Sequence, residues 1–209
     1  MSDTLRIWGR MSSINVKKVV WTAQELGLEF QRTEAGGQFG LVLTPDYVAM
    51  NPNSLVPAIQ DDDFVLWESN VIVRYLCARH SLGQMYSTDL RDRFNAERWM
   101  DWQQTSFNPA SRPAFWQLIR VPLEQRDAQA IADSNAAVEV LMARLDAHLA
   151  GRSYLVGERF TMADIPLACE AHRWFNLPQT RQPRPHVERW YESLRSRQAS
   201  KGVLDMALS

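Results

Sequence analysis

Three short segments in the first third of the chain carry groups that could bind and activate a ligand. The first, Ser12-Ser13-Ile14-Asn15, stands where the strand-like alternation of residues 5–8 changes to the helical spacing of residues 16–26. A hydroxyl or amide at a helix start is often simply an N-cap. It also faces any ligand at that end of a sheet, with the positive end of the helix dipole behind it. Such a position would stabilise a thiolate.

The other two segments offer backbone groups and a charge. Val56-Pro57 precedes a strand, and a cis X-Pro bond there would turn the N–H and C=O of Val56 outward, although a trans turn is the more frequent alternative. Glu68-Ser69 begins a helix, where free N–H groups and a hydroxyl can receive a carboxylate while Glu68 pairs with an ammonium. An ordinary helix cap is the alternative for this pair.

The segments between these residues predict a small mixed sheet. A strand, a helix that ends at Gly27 and a second strand form a βαβ unit over residues 5–33. A short helical turn follows at residues 44–48, then a β-hairpin whose turn is Asp61-Asp62-Asp63, and a helix that ends near His80. Residues 1–80 therefore predict a βαβ-ββα domain with helices on its sheet.

The rest of the chain predicts helices alone. From about Thr88, strand patterns give way to long stretches rich in Ala, Leu, Arg, Gln and Glu. We expect a helix from Leu90 that Asn108-Pro109 interrupts, a long helix before Gly151, and a helix preceded by the capping pattern Thr161-x-x-Asp164. The predicted domains are residues 1–80 and 88–209, with the boundary at residues 81–87.

Composition and absent motifs exclude several classes of protein. The 209 residues include 23 Lys plus Arg against 24 Asp plus Glu, so the chain has no net field to attract nucleic acid or an anionic membrane. The sequence contains no dinucleotide fingerprint, no P-loop and no nucleophile elbow, and its four histidines lack metal-ligand spacing. We therefore expect no metal site and no nucleic-acid partner.

Two observations predict a cytoplasmic location. Cys77 and Cys169 lie in apolar helical contexts, too far apart in sequence to form a disulfide framework, and we expect both to be buried in a reducing compartment. The N-terminus lacks the pattern of a secretory signal, and no segment is apolar for long enough to span a membrane.

The order of these segments resembles the cytosolic glutathione transferases over nearly the whole chain, in particular bacterial Ser-active enzymes of the theta-, phi- and Nu-like kind. The resemblance implies a thioredoxin-like domain that binds glutathione and a helical domain that holds a second substrate. Ser13 takes the position of the catalytic serine of theta- and phi-like classes, Asn15 that of the asparagine of Nu-like enzymes, and Ser12 one choice of zeta-like enzymes. Which of the three contacts the thiolate is left open.

The same resemblance implies how glutathione would bind. Val56 would pair its backbone with the cysteinyl part, Pro57 would be the cis proline, and Glu68 with Ser69 would hold the γ-glutamyl end. Gln38 would reach the glycyl end. Leu55 stands where the family often has a basic residue, which removes one expected anchor for the glycyl carboxylate.

The reaction implied is conjugation of the glutathione thiolate to an apolar electrophile, with glutathione as co-substrate and no other cofactor. An isomerase, peroxidase or dehalogenase that uses glutathione, or a non-catalytic binding module of the same fold, are the alternatives. The resemblance also implies a homodimer, in which the first half of one subunit contacts the helices of the other. The electrophile is expected between the Arg10-Met11 turn and the helical half, against side chains that could equally be core: Trp102, Phe107, Phe115 and Trp116.

Overall fold

The computed structural model describes residues 4–209 of the chain. These residues divide into two compact units, of which one ends at Tyr86 and the other runs from Ser87 to Ser209. None of the helices in residues 4–209 is both long enough and apolar enough to cross a lipid bilayer.

A four-stranded sheet forms the centre of the first unit. Its strands are β1 (Leu5–Trp8), β2 (Phe30–Thr33), β3 (Ala58–Asp61) and β4 (Phe64–Trp67), and they lie in the order β2-β1-β3-β4. β1 pairs with β2 in parallel, whereas β3 runs antiparallel to both β1 and β4. The predicted βαβ unit and the predicted hairpin at the three aspartates are both confirmed.

Helix α1 (Ile14–Glu25) makes the crossover that two parallel strands require. It ends as the sequence predicts, at Gly27, whose φ of 64° lies in the left-handed region. The N–H of Gly27 donates to the carbonyl of Gln24 (3.1 Å), and the N–H of Leu28 donates to that of Ala23 (3.0 Å). This pair of bonds is a Schellman motif, which directs the chain from α1 into β2.

Helices account for the burial of both faces of the sheet. Ile7 and Ile59 point to one face and are fully buried, and α1 packs against α3 (Ser69–His80). Side chains alternate along a strand, so Trp8 and Ala58 point to the other face. There they join a separate apolar cluster built around Tyr47 of helix α2 (Pro45–Met50).

The second unit is built from helices. These are α4 (Leu90–Trp102), α5 (Asn108–Phe115), α6 (Ala128–Leu149), α7 (Asp164–Asn176) and α8 (Pro185–Arg195). The thioredoxin-like βαβ-ββα domain followed by a helical domain, which the sequence predicts, is confirmed.

The predicted interruption at Asn108-Pro109 is wrong. Two π-helical turns, Gln103–Phe107 and Trp116–Arg120, flank α5, and the chain stays helical from α4 through to Arg120. Asn108 precedes a proline and yet has helical angles, φ −61° and ψ −43°. A π turn relaxes the hydrogen-bond ladder at the point where a proline cannot donate, so the helix continues with altered pitch.

A buried polar cluster ties the first π turn to α5 and α7. The carboxylate of Glu170 accepts hydrogen bonds from Gln103 Nε2 (2.8 Å) and from Ser111 Oγ (2.8 Å). Arg173 Nη1 donates to the same serine hydroxyl (2.7 Å), and burial lowers the pKa of this guanidinium. All four side chains are buried, and each has a polar partner, as buried polar groups require.

The capping pattern before α7 forms a second buried hub. Asp164 is fully buried and accepts hydrogen bonds from the backbone N–H of Thr161 (2.9 Å) and of Leu155 (3.1 Å), and from Trp190 Nε1 (2.9 Å). One carboxylate thus joins the start of α7 to the preceding loop and to α8.

Candidate functional site

The sheet brings the predicted ligand-binding segments of the first unit to one end. Strand pairing places Thr33, Trp8, Ala58 and Trp67 in a single row across the four strands. The segments that carry the candidate residues all adjoin this row, because β1 and β2 leave the sheet there, β3 enters it there and β4 ends there. Residues far apart in sequence are therefore neighbours at this end of the sheet.

Ser13 occupies the N-cap position of α1 with extended backbone angles, φ −89° and ψ 123°. Its carbonyl accepts the first helical bond, from the N–H of Lys17 (3.0 Å), and its own N–H donates to the carbonyl of Arg10 (3.0 Å). The Ser13 hydroxyl makes no capping hydrogen bond to the helix. Ser13 therefore does not cap the helix with its hydroxyl, as an N-cap serine usually does. Its side chain is half-buried at the positive end of the helix dipole.

Asn15 and Ser12 flank Ser13 and are also half-buried. The Oδ1 atom of Asn15 is buried and has no hydrogen-bond partner within residues 4–209. Because a buried oxygen without a partner carries a desolvation cost, this atom marks a place where a ligand group could complete the hydrogen bonding.

The Val56–Pro57 peptide bond is cis, as the resemblance implies. Two side chains of the α2 region hold the residue just before it, since Tyr47 Oη (2.6 Å) and Asn51 Nδ2 (2.8 Å) both donate to the carbonyl of Leu55. Burial raises the pKa of Tyr47 to about 12, so its hydroxyl remains a donor at neutral pH. Neither residue is among those predicted for the site from the sequence, because their contacts with Leu55 have no local sequence signal.

Glu68 and Ser69 lie at the junction of β4 and α3. Glu68 is the N-cap of α3, and Ser69 is the first residue of the helix. Glu68 is exposed, whereas Ser69 is buried. The first N–H groups of α3 therefore face the same end of the sheet as Ser13 and Val56.

The segment after β2 carries Gln38. The N–H of Gly36 donates to the carbonyl of Gly40 (2.8 Å), which closes a loop with a short 3₁₀ turn at Gly37–Phe39 and leaves Gln38 exposed at its centre. The side chain of Arg10 lies against this loop at Gly36 and Gly37. Met11, half-buried, continues the turn toward α1.

The four predicted aromatic residues of the second unit differ in exposure. Phe107 is fully buried, and its ring packs edge to face with that of Trp102 at a centroid distance of 5.4 Å. Phe115 is half-buried, with the guanidinium of Arg173 4.6 Å from its ring centre. Trp116 is 53% exposed. Core packing accounts for Phe107, whereas about half of the Trp116 side chain remains exposed.

Two further features bear on the chemistry of the chain, its two cysteines and the arrangement of its potential metal ligands. Within residues 4–209, neither Cys77 nor Cys169 forms a disulfide and both are buried, and burial raises the pKa of Cys77 to about 12. In residues 4–209 no group of three His, Cys, Asp or Glu side chains is arranged to hold a metal ion.

Comparison with known proteins agrees with this architecture. Residues 3–78 match the family model of the glutathione S-transferase N-terminal domain, and residues 103–198 match that of the C-terminal domain. Glutathione S-transferase GstB of Escherichia coli (strain K12) is 41% identical over 207 residues, which cover 98% of this chain and 100% of GstB. Glutathione S-transferase 3 of Zea mays is 31% identical over 203 residues, 93% of this chain and 90% of the maize protein.

A solved structure is similar over its whole length. The theta class glutathione S-transferase from the citrus canker pathogen Xanthomonas axonopodis pv. citri, with glutathione bound, has a TM-score of 0.95 at 42% sequence identity, and the match covers 100% of both chains. The chain therefore belongs to the glutathione S-transferase family and is an enzyme of that family.

Proposed function

We propose that the protein conjugates the thiolate of glutathione to an apolar electrophile, and that the Ser13 hydroxyl stabilises the thiolate. The observation that carries this proposal is the state of Ser13, whose hydroxyl stands at the N-terminus of α1 and caps no backbone N–H of the helix. A relative that is 42% identical binds glutathione. In the proposed complex, the backbone of Val56 pairs with the cysteinyl residue, and the cis bond to Pro57 turns the N–H and C=O of Val56 outward for this contact. Glu68 and Ser69 bind the γ-glutamyl group.

The chemical task is to lower the pKa of a thiol. A cysteinyl thiol with a pKa of about 8.5 is only about 3% thiolate at pH 7, and each unit by which its pKa falls stabilises the anion by about 1.4 kcal/mol. A hydroxyl donor and the helix dipole both favour the charged form. Ser13 acts as a hydrogen-bond donor in this scheme and forms no covalent bond.

Asn15 supports the same anion from the first turn of α1. Its amide can donate to the thiolate, while its unpaired Oδ1 accepts from a group of the bound tripeptide. Ser12 is the competing hydroxyl, since it stands one residue earlier in the same turn.

The test compares these three side chains. Ser13→Ala should lower kcat/KM for conjugation of a general aryl halide by about a hundredfold, the usual cost of removing one donor to a developing anion, while glutathione binding changes little. The thiolate absorbance of bound glutathione should shift to higher pH in this variant. Ser12→Ala is the matched control and should keep both properties.

Three outcomes would contradict the proposal. An unchanged rate in Ser13→Ala, with a loss in Ser12→Ala or Asn15→Ala, would move the role to that residue. Failure of the wild-type protein to be retained on immobilised glutathione, together with no binding of free glutathione at millimolar concentration, would remove the glutathione-dependent reaction altogether. Binding without turnover of any electrophile would favour a non-catalytic module.

The electrophile is proposed to bind against aromatic surface of the second unit. Trp116 supports this because half of its surface is exposed, and Phe115 is held in place by Arg173. Trp102 supplies the neighbouring ring, and Phe107 supports it from the core.

We also propose a homodimer, as the resemblance implies. Large apolar side chains that a soluble chain would normally bury are exposed in both units, among them Leu90 (61%) and Phe94 (62%) of α4 and Phe64 (44%) of β4. Light scattering should give twice the mass of one chain at micromolar concentration. The mass of a single chain at that concentration would contradict the dimer.

A further inference from the structure

A cavity of about 280 Å³ lies within the first unit, at the end of the sheet opposite to the candidate glutathione site. Leu5, the first residue of β1, and Leu28, which precedes β2, line it from the sheet. Gly27 lines it just beyond the end of α1, and Leu76 lines it from α3. Since the strands are 4 residues long, about 13 Å of sheet separates this cavity from the glutathione site.

Two carboxylates line the cavity, one on each side of β1. Asp61 is the last residue of β3, and Glu29 stands one residue before β2. Because β1 lies between these two strands, the backbones of Asp61 and Glu29 are about two strand spacings apart, or about 10 Å. Asp61 is 6% exposed, whereas Glu29 is exposed. The cavity therefore has a negative group at each of two separate places.

The buried carboxylate of Asp61 makes its contacts through one oxygen. Its Oδ2 accepts a hydrogen bond from Tyr75 Oη (2.8 Å) and forms an ion pair with Arg79 Nη1 (2.9 Å). Both contacts of this carboxylate within residues 4–209 end on Oδ2, which leaves Oδ1 to accept a hydrogen bond from a ligand. A carboxylate oxygen that has lost most of its water gains more from such a donor than an exposed one does.

The guanidinium of Arg79 does not reverse the charge of this cavity. Its Nη1 pairs with Asp61, and its Nη2 pairs with Asp62 Oδ2 (3.0 Å), so two carboxylates share one cation, and Glu29 adds a third. Helices α1 and α3 both end beside the cavity, and the C-terminal end of a helix dipole is negative. His80, which also lines the cavity, has an imidazole that can accept a hydrogen bond. The charges and dipoles around the cavity therefore favour a cation.

We propose that this cavity binds a short aliphatic diamine, with one ammonium group at Asp61 and the other at Glu29. One ammonium donates to Oδ1 of Asp61, and the second supplies the counter-charge of Glu29. The alkyl chain between them lies against the apolar part of the lining, which consists of Leu5, Leu28 and Leu76. A ligand with a single ammonium satisfies only one of the two carboxylates. This binding site does not depend on the proposed reaction of glutathione, which takes place at the other end of the sheet.

The test is titration calorimetry of the full chain with butane-1,4-diamine at about pH 8, where both ammonium groups remain charged. Wild type should bind with a dissociation constant of about 0.1 mM, which a ligand of six non-hydrogen atoms can reach. Butan-1-amine should bind about tenfold more weakly, and butane-1,4-diol, which has the same length and no charge, should not bind.

Three variants locate the ligand. Glu29→Gln should weaken the diamine about fivefold to tenfold, and Asp61→Asn should weaken it about tenfold, since each loses a charge that pairs with an ammonium. Asp62→Asn is the matched control, because it removes the same charge next to Asp61 from an exposed side chain outside the cavity lining. In about 0.15 M salt it should bind the diamine as wild type does. If circular dichroism shows that Asp61→Asn is unfolded, the comparison of Glu29→Gln with Asp62→Asn decides.

Four results would overturn the inference. The first is no binding of the diamine by wild type at millimolar concentration, and the second is unchanged affinity in Glu29→Gln. Equal losses in Glu29→Gln and Asp62→Asn would show a general attraction to acidic surface. Competition between the diamine and saturating glutathione would place the diamine at the other end of the sheet. A wild-type protein that binds the diamine but not glutathione would support this cavity and contradict the proposed function alone.

Discussion

Glu68 has a backbone conformation that is costly for a residue with a side chain, φ 73° and ψ 105°. Conformations of this kind cost about 1–3 kcal/mol and tend to persist at functional sites, where the surrounding structure enforces them. At Glu68 this conformation joins the end of β4 directly to the start of α3. If Glu68 binds the γ-glutamyl group as proposed, the strain lies at a residue of the glutathione site.

Glu68→Gly and Glu68→Ala separate the strain from the carboxylate. Both variants lose the side chain proposed to pair with the γ-glutamyl ammonium, so both should bind glutathione more weakly than wild type, by similar factors. Glycine adopts positive φ freely, whereas alanine does not, so Glu68→Gly should be about 1 kcal/mol more stable than Glu68→Ala in urea unfolding. Equal stability of the two variants would show that the backbone at Glu68 stores no strain.

The sequence predicted which residues belong to the candidate site better than it predicted the contacts that their side chains make. Hydroxyl and amide groups at the start of α1 and the Val56-Pro57 dipeptide could be found from the sequence, because helix starts and prolines have local signals. The two donors to the Leu55 carbonyl, Tyr47 and Asn51, depend on how α2 packs and have no such signal. The direction of Arg10 depends in the same way on two glycines that lie 26 and 27 residues further along the chain.

Elements of the chain were predictable where their boundaries are marked locally. Gly27 ends α1, Thr44 caps α2 with its hydroxyl (3.4 Å to the N–H of Tyr47), and the three aspartates mark the hairpin turn. These signals act within a few residues, so they can be read without knowledge of the tertiary structure.

The path of the helices around Pro109 depends on contacts over long sequence distances. Glu170 on α7 bonds to Gln103 and Ser111, which are 67 and 59 residues away in sequence. These buried bonds hold the π turn and α5 in one line, and they compensate for the donors that prolines lack. A local rule that ends a helix before a proline cannot include such compensation.

At the scale of the whole molecule, two groups of the second unit, the fully buried Asp164 and the half-buried His148, give opposite dependences of stability on pH. Burial raises the pKa of Asp164 from 3.8 to about 6, so the folded protein retains a proton that the unfolded chain releases. Its contribution to stability therefore falls as pH rises from about 4 to about 6. His148 has the opposite effect on stability. Burial lowers the pKa of its imidazole below 6.5, so the folded protein binds a proton less readily than the unfolded chain does.

His148→Gln isolates the second of these effects. The imidazole Nε2 of His148 lies 2.8 Å from the carbonyl of Leu155, and its ring packs against Trp99 at 4.4 Å. Above pH 6.5 the imidazole is neutral in both states, and as pH falls below 6.5 the wild type loses stability until the folded pKa is reached. The free energy of unfolding of wild type minus that of His148→Gln should therefore decrease as pH is lowered from about 8 to about 5.

The measurement is urea unfolding at a series of pH values and at fixed protein concentration, since the proposed dimer would gain stability from association. Asp164 is present in both proteins, so its opposite contribution cancels in the difference. His80→Gln, which replaces an exposed histidine of the first unit, controls for the loss of a histidine as such. If the difference between wild type and His148→Gln stays constant across the series, burial does not perturb the titration of His148. In that case the acid sensitivity of the fold lies in groups other than this imidazole.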